Sequence, residues 1–279
     1  MPGMQGSKRR ISGQVAGIVL IVIAGFFMFA SLQRQMIYFP EVAPEAALVD
    51  TANRIGMQAW RNTQGQLIGW RTPSIRDSAR QLVVFHGNAG HALYRQYYAA
   101  GFLSQGSDWQ VYLFEYPGYG ARTGAPSEAE IKARATEALD ELLAENPAPL
   151  YLVGESLGSG VASYIAGNFK EKVGGVLLVT PFTSLADVAS EHYGMLPVSA
   201  LLSERYDSVT ALGMYHGPVA FLVAGNDEIV PATLGRKLHE TYRGPRWLLE
   251  QSGAGHNTLD FDPSAPWWGE LTNFWRANE

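Results

Sequence analysis

The sequence predicts an α/β fold built on a mostly parallel sheet, and three observations support this prediction. From about residue 36 onward, short runs rich in β-branched and aromatic residues alternate with longer helix-like stretches. Most of the short runs are apolar on both faces, which is typical of parallel strands that helices cover on both sides. No repeat, low-complexity run or linker breaks the alternation, so residues 36–279 are expected to form one domain.

Seven runs are predicted as strands, because each is short, apolar and bounded by Gly, Pro or other turn residues. In chain order they are Leu67–Arg71, Leu82–Phe85, Val111–Phe114, Leu150–Val153, Val176–Val179, Val219–Val223 and Trp247–Leu249. The predicted helices are His91–Leu103, Ser127–Glu145, Leu157–Asn168, Thr233–Tyr242 and Trp267–Trp275. The second of them has the clearest start, since Ser127 at its N-cap and Glu130 three residues later form a capping box.

The connection between the strands Val176–Val179 and Val219–Val223 is unusually long. It covers about residues 181–217, and connections of this length commonly hold an insertion over a site. We interpret it as a short lid, and an ordinary amphipathic helix packed on the core is the alternative. The apolar residues of this segment are Tyr193, Met195, Leu196, Pro197, Val198, Leu201 and Leu202.

The composition excludes several classes of function. The 279 residues carry 21 Lys and Arg against 26 Asp and Glu, a formal charge of −5, so the basic excess that nucleic-acid binding needs is absent. The chain has no cysteine, which excludes disulfides, thiolate catalysis, iron–sulfur clusters and cysteine-containing zinc sites. It also lacks a dinucleotide fingerprint, a P-loop and an H-E-x-x-H motif, so neither a nucleotide cofactor nor a metal is expected.

The N-terminal region predicts a membrane segment. A basic cluster at residues 8–10 precedes a stretch without charge that ends at Arg34 and is almost continuously apolar over residues 15–32. As a helix, these about 23 uncharged residues are roughly 35 Å long, enough to span a hydrocarbon core of about 30 Å. An uncleaved anchor is favoured over a cleaved signal, which has a shorter apolar region and small residues before its cleavage site.

The same cluster predicts the orientation. By the positive-inside rule, residues 1–35 form a cytoplasmic tip and a single-pass anchor in the cytoplasmic membrane. Residues 36–279 are then expected on the extracytoplasmic, periplasmic side.

A candidate nucleophile lies in the run G-E-S-L-G at residues 154–158. This G-x-S-x-G motif follows a predicted strand and precedes a predicted helix, the strand–turn–helix setting in which it carries chemistry. Glycines suit the motif because so sharp a turn strains the serine backbone, and bulk on either side would collide with the adjoining strand and helix. Ser156 is therefore the candidate nucleophile.

The base and the acid are expected later in the chain. A serine hydroxyl needs a base, itself oriented by a third group, and on this pattern the acid precedes the histidine. Asp227 follows a predicted strand and is preferred to its neighbour Glu228 as the acid. His256 lies in a loop directly after the last strand and is preferred as the base to His239, which lies within a predicted helix.

Two backbone N–H groups are the candidate oxyanion donors. Leu157 follows the nucleophile, and Asn88 lies in the loop H-G-N-A-G that follows the strand Leu82–Phe85. Ala89 is the alternative if the loop is offset by one residue. His86 opens this loop and precedes the nucleophile, so we expect it to brace the loop rather than to act as the base.

Six pieces of the sequence form a set: Ile37-Tyr38-Phe39-Pro40, His86-Gly87-Asn88-Ala89-Gly90, Tyr116-Pro117-Gly118-Tyr119-Gly120, Gly154-Glu155-Ser156-Leu157-Gly158, Asn226-Asp227-Glu228-Ile229-Val230-Pro231 and Gly255-His256-Asn257. With this set, nearly all of the chain from residue 36 onward resembles the α/β-hydrolase superfamily. Within it, the chain is similar to the membrane-anchored monoacylglycerol-lipase-like and depalmitoylase-like serine hydrolases. One departure is Glu115-Tyr116, where these proteins often have an Asp-containing pair.

The resemblance implies a mostly parallel eight-stranded sheet flanked by helices, with Ser156, Asp227 and His256 as the catalytic triad. The expected activity is that of a serine hydrolase, an esterase- or lipase-like enzyme that cleaves ester or thioester bonds of small acyl substrates through an acyl-enzyme. A peptidase or amidase of the same fold is the alternative within catalysis. The alternative outside catalysis is a membrane-tethered scaffold without activity, which would be expected to lack part of the triad. The expected partners are an acyl ester and the membrane.

Overall fold

A computed structural model of the chain describes residues 31–73, 80–106, 108–194 and 202–279. The chain divides into two compact units, Met1–Tyr38 and Phe39–Glu279. In the first unit, residues 31–37 are helical. The second unit holds every strand that the structure describes.

Residues 1–30, which contain most of the predicted membrane anchor, lie outside the described residues. Within the described ranges, no helix combines the length and the apolar character needed to cross a membrane. The anchor therefore stays a prediction.

Ten strands occur in the described residues, and eight of them form the central sheet. Their bounds are β1 Phe39–Pro40, β2 Gln58–Arg61, β3 Leu67–Arg71, β4 Arg80–Phe85, β5 Ala89–Gly90, β6 Trp109–Phe114, β7 Leu150–Glu155, β8 Val173–Val179, β9 Val219–Ala224 and β10 Arg246–Gln251. The order in the sheet is β10-β9-β8-β7-β4-β6-β3-β2, and β1 pairs with β5 in a separate two-stranded ladder. Only β3 runs against its neighbours, and all other pairs in the central sheet are parallel. The predicted mostly parallel eight-stranded sheet is thus confirmed.

Helices connect the parallel strands. They are α1 Glu45–Arg54, α2 Gln96–Ser104, α3 Glu128–Glu145, α4 Leu157–Asn168, α5 Leu185–Tyr193, α6 Ser208–Leu212, α7 Ala232–Thr241 and α8 Trp267–Arg276, with a short 3₁₀ helix at Ala92–Arg95 before α2. The helix predicted from residue 91 therefore begins as 3₁₀ and continues as α2. Within the long connection at 181–217, α5 and α6 are described, whereas most of its apolar stretch, residues 195–201, lies outside the described residues.

The middle of the sheet is buried on both faces. Every residue of β6 and β9 is buried, which explains why these strands read as continuous apolar runs. On one face, Phe102 of α2 stacks on Trp275 of α8, with ring centroids 5.7 Å apart. In this parallel sheet, the carboxyl ends of β4, β7, β9 and β10 lie along one edge, where binding sites of parallel sheets form.

Candidate active site

Ser156 lies at the sharp turn between β7 and α4. Its φ of 52° is in the left-handed region, which non-glycine residues rarely adopt. A Cβ on Gly154 would overlap the carbonyl oxygen of Gly158, and one on Gly158 would overlap the carbonyl oxygen of Phe85 at the end of β4. The two glycines therefore allow strand and helix to approach closely enough to hold the serine in this conformation.

The structure brings Ser156, His256 and Asp227 together. His256 Nε2 lies 3.1 Å from Ser156 Oγ, and His256 Nδ1 lies 2.7 Å from Asp227 Oδ2. Because a carboxylate only accepts, Nδ1 carries the proton and Nε2 is left to accept the serine proton. The three side chains therefore form the hydrogen-bonded chain that nucleophilic serine catalysis needs.

Asp227 and its neighbour Glu228 have different surroundings. The Asp227 side chain is 1% exposed, and its Oδ1 accepts from the N–H groups of Ile229 (2.9 Å) and Val230 (2.7 Å). Glu228 is exposed to solvent. His239 lies on α7 beside the ring of Phe221, with centroids 5.3 Å apart, so its imidazole is engaged outside this chain of hydrogen bonds.

The two expected oxyanion donors lie on either side of Ser156. Leu157 is the first residue of α4, where N–H groups have no partner within the helix. Asn88 follows Gly87, on which an added Cβ would lie 3.6 Å from Ser156 Cβ. The Gly87 carbonyl accepts from His86 Nδ1 at 2.7 Å, and because the peptide is trans, the N–H of Asn88 points the opposite way.

His86 lies beneath this loop and is 1% exposed. Its ring stacks on Tyr116 with centroids 3.9 Å apart, and its Nε2 is 3.5 Å from Oε1 of the fully buried Glu115. The same Oε1 accepts from the N–H of Ala92 at 3.0 Å, so the Glu115 carboxylate contacts both ends of the loop. Glu115, noted above as a departure from the usual pair, therefore supports the loop from below.

A second buried carboxylate, Glu155, was not singled out from the sequence. Its Oε1 accepts from Arg95 Nε (3.0 Å) and Nη2 (2.8 Å), and its Oε2 accepts from the hydroxyls of Tyr97 (2.5 Å) and Tyr98 (3.0 Å). Burial alone would raise the pKa of Glu155, but the charge of Arg95 and the hydrogen bonds from Arg95 and the tyrosines outweigh burial and lower it. Burial, and then the charge of Glu155, raises the pKa of both tyrosine hydroxyls, so they remain donors.

These contacts, here named the Glu155 cluster, connect two parts of the site. Glu155 directly precedes the nucleophile, and Nη1 of Arg95 lies 3.5 Å from the carbonyl of Ala89 in the oxyanion loop. The signals in the sequence were an acid at the second position of G-E-S-L-G and the cluster R-Q-Y-Y five residues after the oxyanion loop. Neither signal reveals that these residues meet in space.

One contact joins the long connection to the site. His192, near the end of α5, lies with its Nε2 2.8 Å from the carbonyl oxygen of Ile229. Ile229 belongs to the turn that holds Asp227. In the described parts of the chain, no group of three or more His, Asp or Glu side chains is arranged to hold a metal ion.

Comparison with known proteins agrees with the fold. A family model described as the alpha/beta hydrolase fold matches residues 81–211. The chain is 36% identical over 260 residues to the uncharacterized protein Rv2307c of Mycobacterium tuberculosis, covering 90% of both chains. It is 29% identical over 210 residues to the lysophosphatidylserine lipase ABHD12 of Macaca fascicularis, covering 64% of this chain and half the length of that relative.

Among solved structures, the Pyrococcus furiosus esterase PF2001 superposes with a TM-score of 0.63 at 15% identity, covering 86% of this chain and 97% of the esterase. At this identity the likeness concerns the fold. The Rv2307c match, by contrast, extends over nearly the whole length of both proteins at a level of identity that indicates common descent. The chain belongs to the α/β-hydrolase superfamily and has lipase-like relatives within it.

Proposed function

We propose that this chain is a serine hydrolase that cleaves carboxylic ester or thioester bonds of acyl substrates. The observation that carries the proposal is the hydrogen-bonded chain from Ser156 through His256 to Asp227. The strained backbone of Ser156 gives a second, independent support, because such strain persists where function requires it.

The geometry supports a two-step reaction. Ser156 Oγ attacks the acyl carbon while His256 Nε2 takes its proton, and Asp227 keeps the imidazole in the required tautomer. The N–H groups of Asn88 and Leu157 stabilise the oxyanion. His256 then gives the proton to the leaving group, and a water molecule, activated by the same imidazole, hydrolyses the acyl-enzyme.

Two observations favour an acyl ester of a lipid as the substrate. The relatives include a lysophosphatidylserine lipase. The long connection at 181–217 carries an apolar stretch in the sequence position of a lid, and its described helix α5 contacts the turn that holds Asp227. We infer that this segment walls an apolar acyl pocket.

The proposal includes tethering and location. The apolar segment at residues 15–32 acts as a single-pass anchor in the cytoplasmic membrane, and the basic residues 8–10 keep the N-terminus inside. The hydrolase domain then lies on the extracytoplasmic side. From Gln33 to Pro40 the chain extends about 25 Å at most, which keeps the domain close to the lipid substrates of the bilayer.

Labelling with a fluorophosphonate probe tests the proposal, since only an activated serine reacts. We expect labelling of the wild-type chain and none of Ser156→Ala, with kcat for an ester falling on the order of 10⁴-fold in Ser156→Ala and His256→Ala. Asp227→Asn should cost a similar amount or somewhat less. His239→Ala is the matched control and should keep nearly full activity. A larger loss of activity in His239→Ala than in His256→Ala would show that His256 is not the base.

A further inference from the structure

Several large apolar side chains are exposed on one part of the domain surface. Their exposed fractions are 53% for Phe39, 40% for Ile55 and 49% for Tyr94. The catalytic mechanism uses none of these residues. Isolated exposed apolar residues are ordinary on a protein surface, whereas a contiguous group indicates a binding face.

Hydrogen bonds place Phe39 and Tyr94 on the same part of the surface. Phe39 of β1 donates its N–H to the carbonyl of Asn88 at 2.9 Å, which places β1 on the oxyanion loop. The Tyr94 hydroxyl donates to Glu41 Oε1 at 2.7 Å, and in an extended segment residues 39 and 41 point to the same side. Phe39 and Tyr94 therefore lie on the same side of β1.

A groove extends the patch toward α1. It has a volume of about 380 Å³, and Leu48, Ile55, Leu93 and Tyr94 are among its lining residues. Ile55 and Tyr94 thus share one depression. We name Phe39, Ile55 and Tyr94 the apolar patch.

The position of the patch in the chain and in the fold indicates its partner. Phe39 comes five residues after Arg34, the charge that ends the apolar N-terminal segment. The patch also borders the oxyanion loop, where Gly87 approaches Ser156. Aromatic and aliphatic side chains beside a membrane segment are typical of the bilayer interface, where a ring lies among the headgroups.

We propose that the apolar patch docks onto the lipid bilayer and holds the active-site edge of the sheet against the membrane surface. The inference rests on the proposed tethering, which keeps the patch within reach of the bilayer, and adds a defined orientation to it.

Single-cysteine labelling tests the orientation, because the chain has no cysteine of its own. The full-length chain, reconstituted in phosphatidylcholine–phosphatidylglycerol vesicles, carries an NBD fluorophore on Phe39→Cys, Ile55→Cys or Met214→Cys. Met214 is 56% exposed and packs near Gly167, at the end of α4 far from Ser156, so it marks the opposite edge of the sheet. Doxyl-labelled lipids should quench NBD at Phe39 and Ile55 and leave NBD at Met214 unquenched.

The Ile55 label decides between the outcomes, since Phe39 lies close to the proposed anchor along the chain. Equal, weak quenching at Ile55 and Met214 overturns the proposal. A blue-shifted but unquenched signal at Ile55 also overturns it, because the patch is then covered by protein, such as a second copy. Failure of the full chain to float with the vesicles refutes the tethering as well, and fluorophosphonate labelling of the same sample reports separately on the hydrolase.

A functional measurement completes the test. The variant Ile55→Ser should hydrolyse a long-chain ester embedded in vesicles about tenfold more slowly, because a large apolar side chain no longer enters the bilayer. Hydrolysis of soluble p-nitrophenyl acetate should stay at the wild-type rate, since Ile55 does not contact the site. Equal rates on the vesicle substrate for the variant and the wild type contradict the proposal.

Discussion

Glu155 stands next to the nucleophile in sequence, yet its side chain points into a set of four hydrogen bonds rather than toward substrate. Arg95 balances its charge, and Tyr97 and Tyr98 occupy its second oxygen. Both carboxylate and guanidinium are mostly buried, with side chains 14% and 15% exposed. Removing one charge from such a pair leaves the other charge buried without compensation.

Glu155→Gln should therefore reduce the free energy of unfolding by about 3 kcal/mol at neutral pH. The pKa of Glu155 is lowered in the folded chain, so the stability that its carboxylate contributes is fully present above its ordinary pKa of 4.5 and is lost as the pH falls through the lowered value. Urea unfolding at about pH 7 and about pH 3 should show the difference from wild type shrinking at the acid end.

The matched control for this change is Glu250→Gln. Glu250 pairs with Arg236 at 2.7 Å, but this pair lies at the surface with side chains 29% and 41% exposed. Water screens it, so the loss should stay below about 1 kcal/mol. Equal losses in Glu155→Gln and Glu250→Gln would mean that the Glu155 cluster adds nothing beyond a surface ion pair.

The turn from β7 into α4 is the element on which the site depends most. It packs against the end of β4 with no space for a side chain at Gly158, where a Cβ would meet backbone carbonyls that cannot move aside. Gly158→Ala should cost about 3 kcal/mol or more of stability, at the upper end of overpacking effects, and should lower kcat with it. Thermal unfolding and ester hydrolysis measured on the same preparation check this.

Gly253→Ala is the control within the same edge of the sheet. A Cβ there meets nothing within 4 Å, so the substitution should change stability by no more than about 0.5 kcal/mol. If Gly158→Ala leaves stability unchanged, the turn between β7 and α4 tolerates a shift that the observed packing forbids.

At the scale of elements, the sequence predicts the strands and helix ends that depend on residues close together in the chain. Each of the seven predicted strands is present, because short runs rich in β-branched and aromatic residues between turn residues suit the buried middle of a parallel sheet. The strand β2 was missed because Gln58 and Arg61 are exposed at its ends and its pattern is that of a polar edge. The capping box formed in part: Ser127 Oγ accepts the N–H of Glu130 at 3.2 Å, but the Glu130 carboxylate pairs with Arg134 at 2.9 Å.

At the scale of the whole molecule, the proposed preference for an acyl ester depends on the long connection at 181–217. If the long connection walls an apolar pocket, each added methylene should raise kcat/KM about threefold to fourfold until the pocket is full. A series of p-nitrophenyl esters of increasing chain length measures this. A steady fall from acetate onward would exclude an apolar acyl pocket and favour small polar esters or peptides.

The proposed orientation of the chain across the cytoplasmic membrane is a second property of the whole molecule. With the basic residues 8–10 inside, residues 36–279 should be accessible from outside the cytoplasmic membrane. Protease added to spheroplasts of a bacterial host should digest this part while a cytoplasmic marker protein stays intact. Protection of the domain under those conditions would reverse the proposed topology.

Long-range contacts limit what the sequence could predict about the site. Ser156, Asp227 and His256 could be proposed because each follows a recognisable strand, and parallel strands end at one edge. The Glu155 cluster could not, since Arg95 lies 60 residues before Glu155 and only the pairing of β4 with β7 brings their neighbourhoods together. In the sequence alone, a polar residue in a helical segment gives no sign of a partner so far away along the chain.

The triad residues follow β7, β9 and β10, three strands that lie toward the same side of the sheet, and β10 is its outermost strand there. The base therefore joins the site only when the last strand synthesised has paired with β9. A chain emerging from the ribosome carries its nucleophile for about a hundred residues before His256 arrives, and during that interval Ser156 has no proton acceptor. If the proposed mechanism holds, ester hydrolysis also reports on completed folding, because a chain that ends before β10 and the loop after it lacks His256.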